Sequence, residues 1–248
     1  VRVAEWATHF FFFFVIATNE SVRDIAIGRG GQSPAAVYVV RTAPKIADTS
    51  VEPDASLKKG RKHLVGYVGV MGNADGVRYI IEAADFLVRE QGRDDIQFLL
   101  MGSGPEHDNL VGLRDDLGVG EFVDLPGRVS NEFLFTGLRT MDLGVSSDPI
   151  NRYNDHCTMN KVLEYMTFAK PQVMFDLKEG RFSAGDAACY VAENSAQELG
   201  QAIAETLDDP GKCERMGRLG YERFHTQLNW EKSVEQLKAA YARALGQG

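Results

Sequence analysis

Between Leu64 and Val191 the chain alternates short apolar runs with longer amphipathic stretches, and few architectures accommodate that rhythm. The runs Leu64–Val70, Ile96–Met101, Phe122–Leu125, Asp142–Val145, Pro171–Phe175 and Cys189–Val191 are too short for helices and read as buried strands. The stretches Val77–Glu90, His107–Leu117, Asn131–Thr140 and Asn160–Phe168 are helix-like. Strands taking turns with helices predict an α/β fold with a doubly wound, Rossmann-like parallel sheet. Such sheets take ligands at the carboxyl ends of their strands, so chemistry is expected in the loops that follow the apolar runs.

The flanks read differently. After Val191 the pattern turns helical: Ser195–Leu207, a stop at Asp208-Asp209-Pro210-Gly211, then helices near Lys212–Phe224 and Trp230–Leu245. Before residue 46, Phe10–Ala17 reads as a strand, Ser21–Gly28 as a helix and Val37–Arg41 as a second strand. Two strands and a helix cannot close a core alone. Residues 1–48 are therefore expected to be the tail of an upstream domain, followed by a polar linker over 49–61. A ligand-binding domain over 62–228 and C-terminal helices closing with 229–248 complete the expected organisation.

Charge and composition exclude some functions. The 35 acidic residues against 27 basic ones give a net charge of −8, which disfavours nucleic acid as the partner. A small anion in one local pocket remains compatible with that balance. Cys157, Cys189 and Cys213 form no Cys-x-x-Cys pair and read as free thiols, as in a reducing cytoplasm. The run Phe10–Ala17 is shorter than the ~20 residues of a spanning helix. His9, His63, His107 and His225 show no metal-ligand spacing, and no metal is expected.

Three loops carry candidate chemistry. The first, from Gly66 through Gly69, Gly72, Asn73 and Asp75 to Gly76, joins a strand to a helix. It has neither the G-x-G-x-x-G spacing nor a following Gly-Lys-Ser/Thr, so it is a phosphate-approaching loop or a tight turn. The second, Met101–Pro105, reads as a turn. The third runs from Asn154 to Pro171, with Thr158 and Asn160 as cap candidates before a helix carrying Lys161 and Glu164. A lysine in a first helical turn opposes the helix dipole, and an anion docked on that terminus would relieve the conflict. Glu164 follows at i+3 on the same face, where a carboxylate can receive both hydroxyls of a ribose. The alternative is an ordinary surface Lys–Glu pair. Glu179 and Arg181, in the polar stretch after Phe175, are read as solvated rather than as ligand contacts.

The pattern Asn160-Lys161-Val162-Leu163-Glu164-Tyr165-Met166, then Lys170-Pro171, resembles the signature of family 4-like glycosyltransferases of GT-B fold. The glycine-rich first loop, Met101–Pro105, the strand before Gly127-Arg128-Val129, and Trp230 fit the same family in order and spacing, over roughly residues 62–245. Val15–Ser21 and Val37–Arg41 resemble the closing strands of its acceptor domain.

The resemblance implies a retaining, metal-independent transfer from a nucleoside-diphosphate sugar, with no cofactor beyond that co-substrate. Glu164 would grip the ribose and Lys161 the diphosphate. Thr158, Met159 and Asn160 would face phosphate and sugar, while Arg128 and Val129 flank the base. Gly69, Gly72, Asn73, Asp75 and Gly76 would approach the donor from the first loop. Relatives place an acid eight positions before the ribose-binding glutamate. Here that position is His156, with Asp155 beside it, and both are expected next to the sugar. The acceptor would be a glycan or a lipid-linked sugar, in the cytoplasm, with peripheral association at the inner membrane face. A sugar-nucleotide 2-epimerase shares the architecture, and a non-catalytic sugar-nucleotide-binding module is the third reading.

Overall fold

The computed structural model describes residues 13–44 and 50–246. It opens with a small βαβ unit: strand β1 (Val15–Ala17), helix α1 (Glu20–Gly28) and strand β2 (Val37–Val39), the two strands parallel with Val15 opposite Val37. Residues 10–12 of the expected first strand lie outside the described residues. Ala17, Ala26 and Val37 form this unit's own small core.

A six-stranded parallel sheet follows. In chain order it comprises β3 (His63–Val68), α2 (Arg78–Arg89), β4 (Ile96–Met101), α3 (His107–Asp116), β5 (Val123–Gly127), α4 (Asn131–Thr140), β6 (Leu143–Ser146), α5 (Asn160–Thr167), β7 (Gln172–Phe175), α6 (Lys178–Ala184) and β8 (Ala188–Val191). Each strand agrees with its apolar run to within a residue or two, the usual uncertainty of element ends. The spatial order is β5-β4-β3-β6-β7-β8. The chain thus builds outward from β3 in one direction, then returns to β6 and builds the other way. That reversal leaves a crevice at the carboxyl ends of β3 and β6, the general ligand position in doubly wound sheets.

All six residues of β3 and of β4 are buried, as expected of central parallel strands covered on both faces. Val65, Tyr67, Phe98 and Leu100 point to one face, packed with Ile80, Ile81 and Leu87 of α2. Leu64, Val68, Leu99 and Met101 point to the other, packed with Leu138 and Tyr165. Gly66 and Gly144 are paired across β3 and β6. A Cβ at Gly144 would come within 2.6 Å of the Tyr165 ring, so glycine there makes room for that tyrosine.

Beyond β8 come α7 (Ala196–Leu207), α8 (Pro210–Arg223) and α9 (Trp230–Ala244). The Asp208–Gly211 stretch stops one helix and starts the next. Asp209 caps α8 by accepting from Lys212 N (2.8 Å), and Pro210 takes the first helical position, where its missing N–H costs nothing. A π-helical turn, Phe224–Leu228, separates α8 from α9. Helix α9 packs against β2, and Arg243 donates to the Ala35 carbonyl (2.8 Å).

The described part of the expected linker, 50–61, lies against the sheet domain. Asp54 N donates to Thr140 Oγ1 (2.8 Å), Lys58 pairs with Asp142 (2.7 Å), Arg61 binds Gln97 and Glu121, and Leu57 packs onto the lower core. Among the described residues no helix is long and apolar enough to cross a membrane. The three cysteines are free.

Candidate functional site

A cavity of about 410 Å³ sits at the carboxyl ends of β3 and β6, lined by the first loop, the segment after β6 and the start of α5. Each wall has a local cause. After β3 the chain leaves at Gly69, whose φ of +156° a side chain would strain. A Cβ there would stand 2.9 Å from the Tyr67 hydroxyl and 3.2 Å from Lys161 Cε, so glycine also makes room for the lysine. The second glycine loop serves as a brace: Gly69 N donates to Met101 O and Met71 N to Ser103 O, both 3.1 Å. Further on, Gly72 N binds Asp75 Oδ2 (3.0 Å), and Gly76 takes φ +61° against Ser147 and Pro149.

Under the cavity Tyr165 is fully buried and joins the two central strands. Its hydroxyl accepts from Val68 N (3.1 Å) and donates to Val145 O (2.9 Å), and burial holds its phenol well above the usual range. Helix α5 therefore starts at a fixed height above the sheet. Its first turn carries Lys161, buried, with Nζ 2.9 and 2.8 Å from the two carboxylate oxygens of Asp148 and 3.6 Å from Asp75. Asp148 is itself buried and accepts from Ser146 Oγ (2.7 Å). One ammonium thus stands between two carboxylates at the cavity floor. One turn along, the Glu164 carboxylate lines the same cavity, and burial raises its pKa against the opposing pull of Lys161. No protein donor occupies it among the described residues, so its oxygens are available to hydroxyls of a ligand.

Gly69, Asp75, Thr158, Met159, Asn160, Lys161 and Glu164 therefore meet around one space, together with Val70, Ala74, Asp148, Tyr153, Asn154 and Cys157. Gly72, Asn73 and Gly76 shape the first loop without lining the cavity; Asn73 is exposed. Asp155 turns away: its Oδ1 receives Lys178 N (2.7 Å) at the start of α6. His156 does not line the space either; its carbonyl receives Asn19 Nδ2 (2.8 Å), and its ring Nδ1 is buried with no partner among the described residues. Arg128 is exposed beyond β5, and Val129 packs onto the lower core with Phe133 and Leu134.

The reading of Glu179 as solvated is corrected. It is 1% exposed, accepts from Ser21 N (3.0 Å) and pairs with Arg41 (2.9 Å), because α6 packs its first turn against the N-terminal unit. Arg181, by contrast, remains in solvent beside Asp176 (2.6 Å). Sequence reasoning missed Asp148, Tyr153, Asn154 and Asn19. For Asp148 a signal existed: it lies just past the carboxyl end of β6, where the sheet rule directs attention. Asn154 holds the loops together, donating to Ala74 O and Pro149 O (both 2.9 Å). No cluster of three or more His, Cys, Asp or Glu among the described residues is arranged to hold a metal ion.

Known proteins resemble this chain in sequence and fold. The family model described as glycosyl transferases group 1 matches residues 62–209. The α-D-kanosaminyltransferase of Streptomyces kanamyceticus is 33% identical over 180 residues, 72% of this chain and 45% of that protein. The chain therefore spans a little under half of that relative's length. Among solved structures, Anabaena HepE in complex with UDP and glucose superimposes with a TM-score of 0.79 at 17% identity, covering 98% of this chain and 66% of that one. Staphylococcus aureus TarM, in a complex that includes UDP and α-GlcNAc-glycerol, gives a TM-score of 0.77 at 16% identity, over 95% of this chain and 45% of that one. At such identities these two likenesses speak for the fold.

Proposed function

The chain belongs to the group 1 glycosyl transferases, and from that premise we propose that it forms the donor half of an enzyme that transfers a sugar from a nucleoside-diphosphate sugar. The observation that carries this reading is the pairing, on one helix face in one cavity, of a buried ammonium with a carboxylate that has no protein donor among the described residues. In the proposed complex the Glu164 carboxylate receives the two ribose hydroxyls. Lys161 exchanges part of its contact with Asp148 for the diphosphate oxygens. Charge develops on the diphosphate as the glycosidic bond breaks, and a fixed ammonium beside it lowers the barrier without reorganisation. Asp148 and Asp75 keep that ammonium in place before the donor arrives.

Retention at the anomeric carbon, independence from metal, and an acceptor that is a glycan or lipid-linked sugar on the cytoplasmic side belong to the same proposal. The acceptor would be held largely by the part of the relatives that this chain does not span. One observation favours the second reading, a sugar-nucleotide-binding module without turnover: Asp155 and His156 stand outside the cavity.

Both readings are tested by substitution and product analysis. Lys161→Met combined with Asp148→Asn removes one charge of each sign and so leaves the net charge of the cavity floor unchanged. It should weaken UDP binding about tenfold or more, about 1.4 kcal/mol, while uridine binding changes less than twofold. Equal losses for both ligands would contradict a diphosphate role. A form carrying the upstream half present in relatives should then release glycosylated acceptor in a chelator-containing buffer. Binding without product would favour the module, and interconversion of donor epimers would favour an epimerase.

A further inference from the structure

Asn19 belongs to the N-terminal unit, yet its side chain ends at the cavity wall. It is 1% exposed, and its bonding leaves the amide one orientation. Oδ1 accepts from Val22 N (2.8 Å), capping α1, while Nδ2 donates to the His156 carbonyl (2.8 Å) and to Thr158 Oγ1 (3.1 Å). A backbone N–H can only give and a backbone carbonyl can only receive, so oxygen faces Val22 and nitrogen faces His156.

The consequence falls on Thr158. An amide NH₂ has nothing to accept with, so Thr158 Oγ1 is the acceptor in its contact with Asn19, and its own proton must be given elsewhere. Thr158 lines the cavity beside Lys161, and among the described residues no protein group receives that proton. Two residues along the chain, the Ser21 N–H is fixed by the buried Glu179, so the Asn19 contact does not rest on a loose segment.

We propose that Asn19 is a positioning residue: by donating to one lone pair of Thr158 Oγ1, it turns that hydroxyl so that its proton is offered into the cavity, toward a diphosphate oxygen of the bound sugar nucleotide. This rests on the donor-site reading above and adds to it a residue from outside the nucleotide-binding sheet. The N-terminal unit thus sets the polarity of a hydrogen bond in a site it does not itself line.

The decisive variant is Asn19→Asp. A carboxylate caps α1 as well as an amide does, so the cap to Val22 survives. It cannot donate, however; it faces the His156 carbonyl and draws the Thr158 proton back toward itself. UDP should bind at least tenfold more weakly to Asn19→Asp, while uridine binding stays within twofold of wild type, a split that general loosening of the fold would not produce. The Thr158→Val variant, which leaves Asn19 in place, should show the same split, and Thr158→Ser should restore UDP affinity. Introducing Asn19→Asp into Thr158→Val should add less than a further twofold. UDP affinity within twofold of wild type in Thr158→Val, or full multiplication of the two losses, would overturn the positioning role. A wild-type chain that binds none of UDP, GDP and ADP would instead overturn the donor-site reading on which it rests.

Discussion

The six-stranded sheet and the two-stranded N-terminal unit are built from the same strand–helix elements, yet different forces hold them. In the sheet, β3 and β4 are buried along their whole lengths, and helices cover both faces with aliphatic and aromatic side chains. Burial of that kind is strong and non-directional. Among the described residues the N-terminal unit buries a small apolar cluster of Ala17, Ala26 and Val37, and its seam with the sheet domain is largely polar. Asn19 reaches His156 and Thr158, Ser21 and Arg41 converge on Glu179, and Arg243 of α9 returns to Ala35. Hydrogen bonds tolerate little error in distance or angle. The sheet supplies stability, and the polar seam supplies register where the N-terminal unit reaches the wall of the cavity.

Breaking each region should therefore look different. The largest effect is expected in the sheet: Phe98→Ala, in a fully buried side chain of β4, should cost about 3–5 kcal/mol and lower the midpoint of the whole cooperative transition. Circular dichroism during urea unfolding would read it, and a loss confined to a minor transition would contradict a single core spanning the sheet. A smaller, local effect is expected at the seam. Glu179→Ala leaves the Arg41 guanidinium and the Ser21 N–H without their acceptor, a cost of about 1–3 kcal/mol. Although Arg41 is buried, the seam around it is polar, so the unit can open and rehydrate it rather than unfold the sheet. Hydrogen exchange over residues 13–44 should accelerate while the amides of β3 and β4 keep their protection. Equal acceleration in both regions would show that the seam is part of the global core.

The same contrast explains what the sequence disclosed. Strands β3, β4 and β7 were legible because each is a short, mostly apolar run, and Asn131–Thr140 because it is a longer amphipathic stretch between two such runs. Lys161 and Glu164 stood out because a cation in a first helical turn and an acid three residues later form a local pattern. Asp148 pairs with Lys161 across 13 positions, Asn154 reaches Ala74 across 80, and Asn19 reaches Thr158 across 139. Nothing in the local periodicity around Asn19 distinguishes a helix cap from a helix cap that also touches a ligand cavity. Asp155 and Glu179 were misjudged for a related reason: each is held by a partner on another element, Asp155 by the Lys178 N–H and Glu179 by Ser21 and Arg41. Polar side chains bonded over long separations have no period to read.

The central claim is that the crevice between β3 and β6 is a nucleoside-diphosphate site whose ribose end is Glu164. Calorimetric titration of this chain with UDP, GDP and ADP in metal-free buffer, repeated on Glu164→Ala, tests it most directly. The account predicts saturable binding of one of the three, weakened by about 1–3 kcal/mol in the variant, the usual loss for a hydrogen bond to a charged group. A folded chain that binds none of them, or an affinity that Glu164→Ala leaves unchanged, would contradict it.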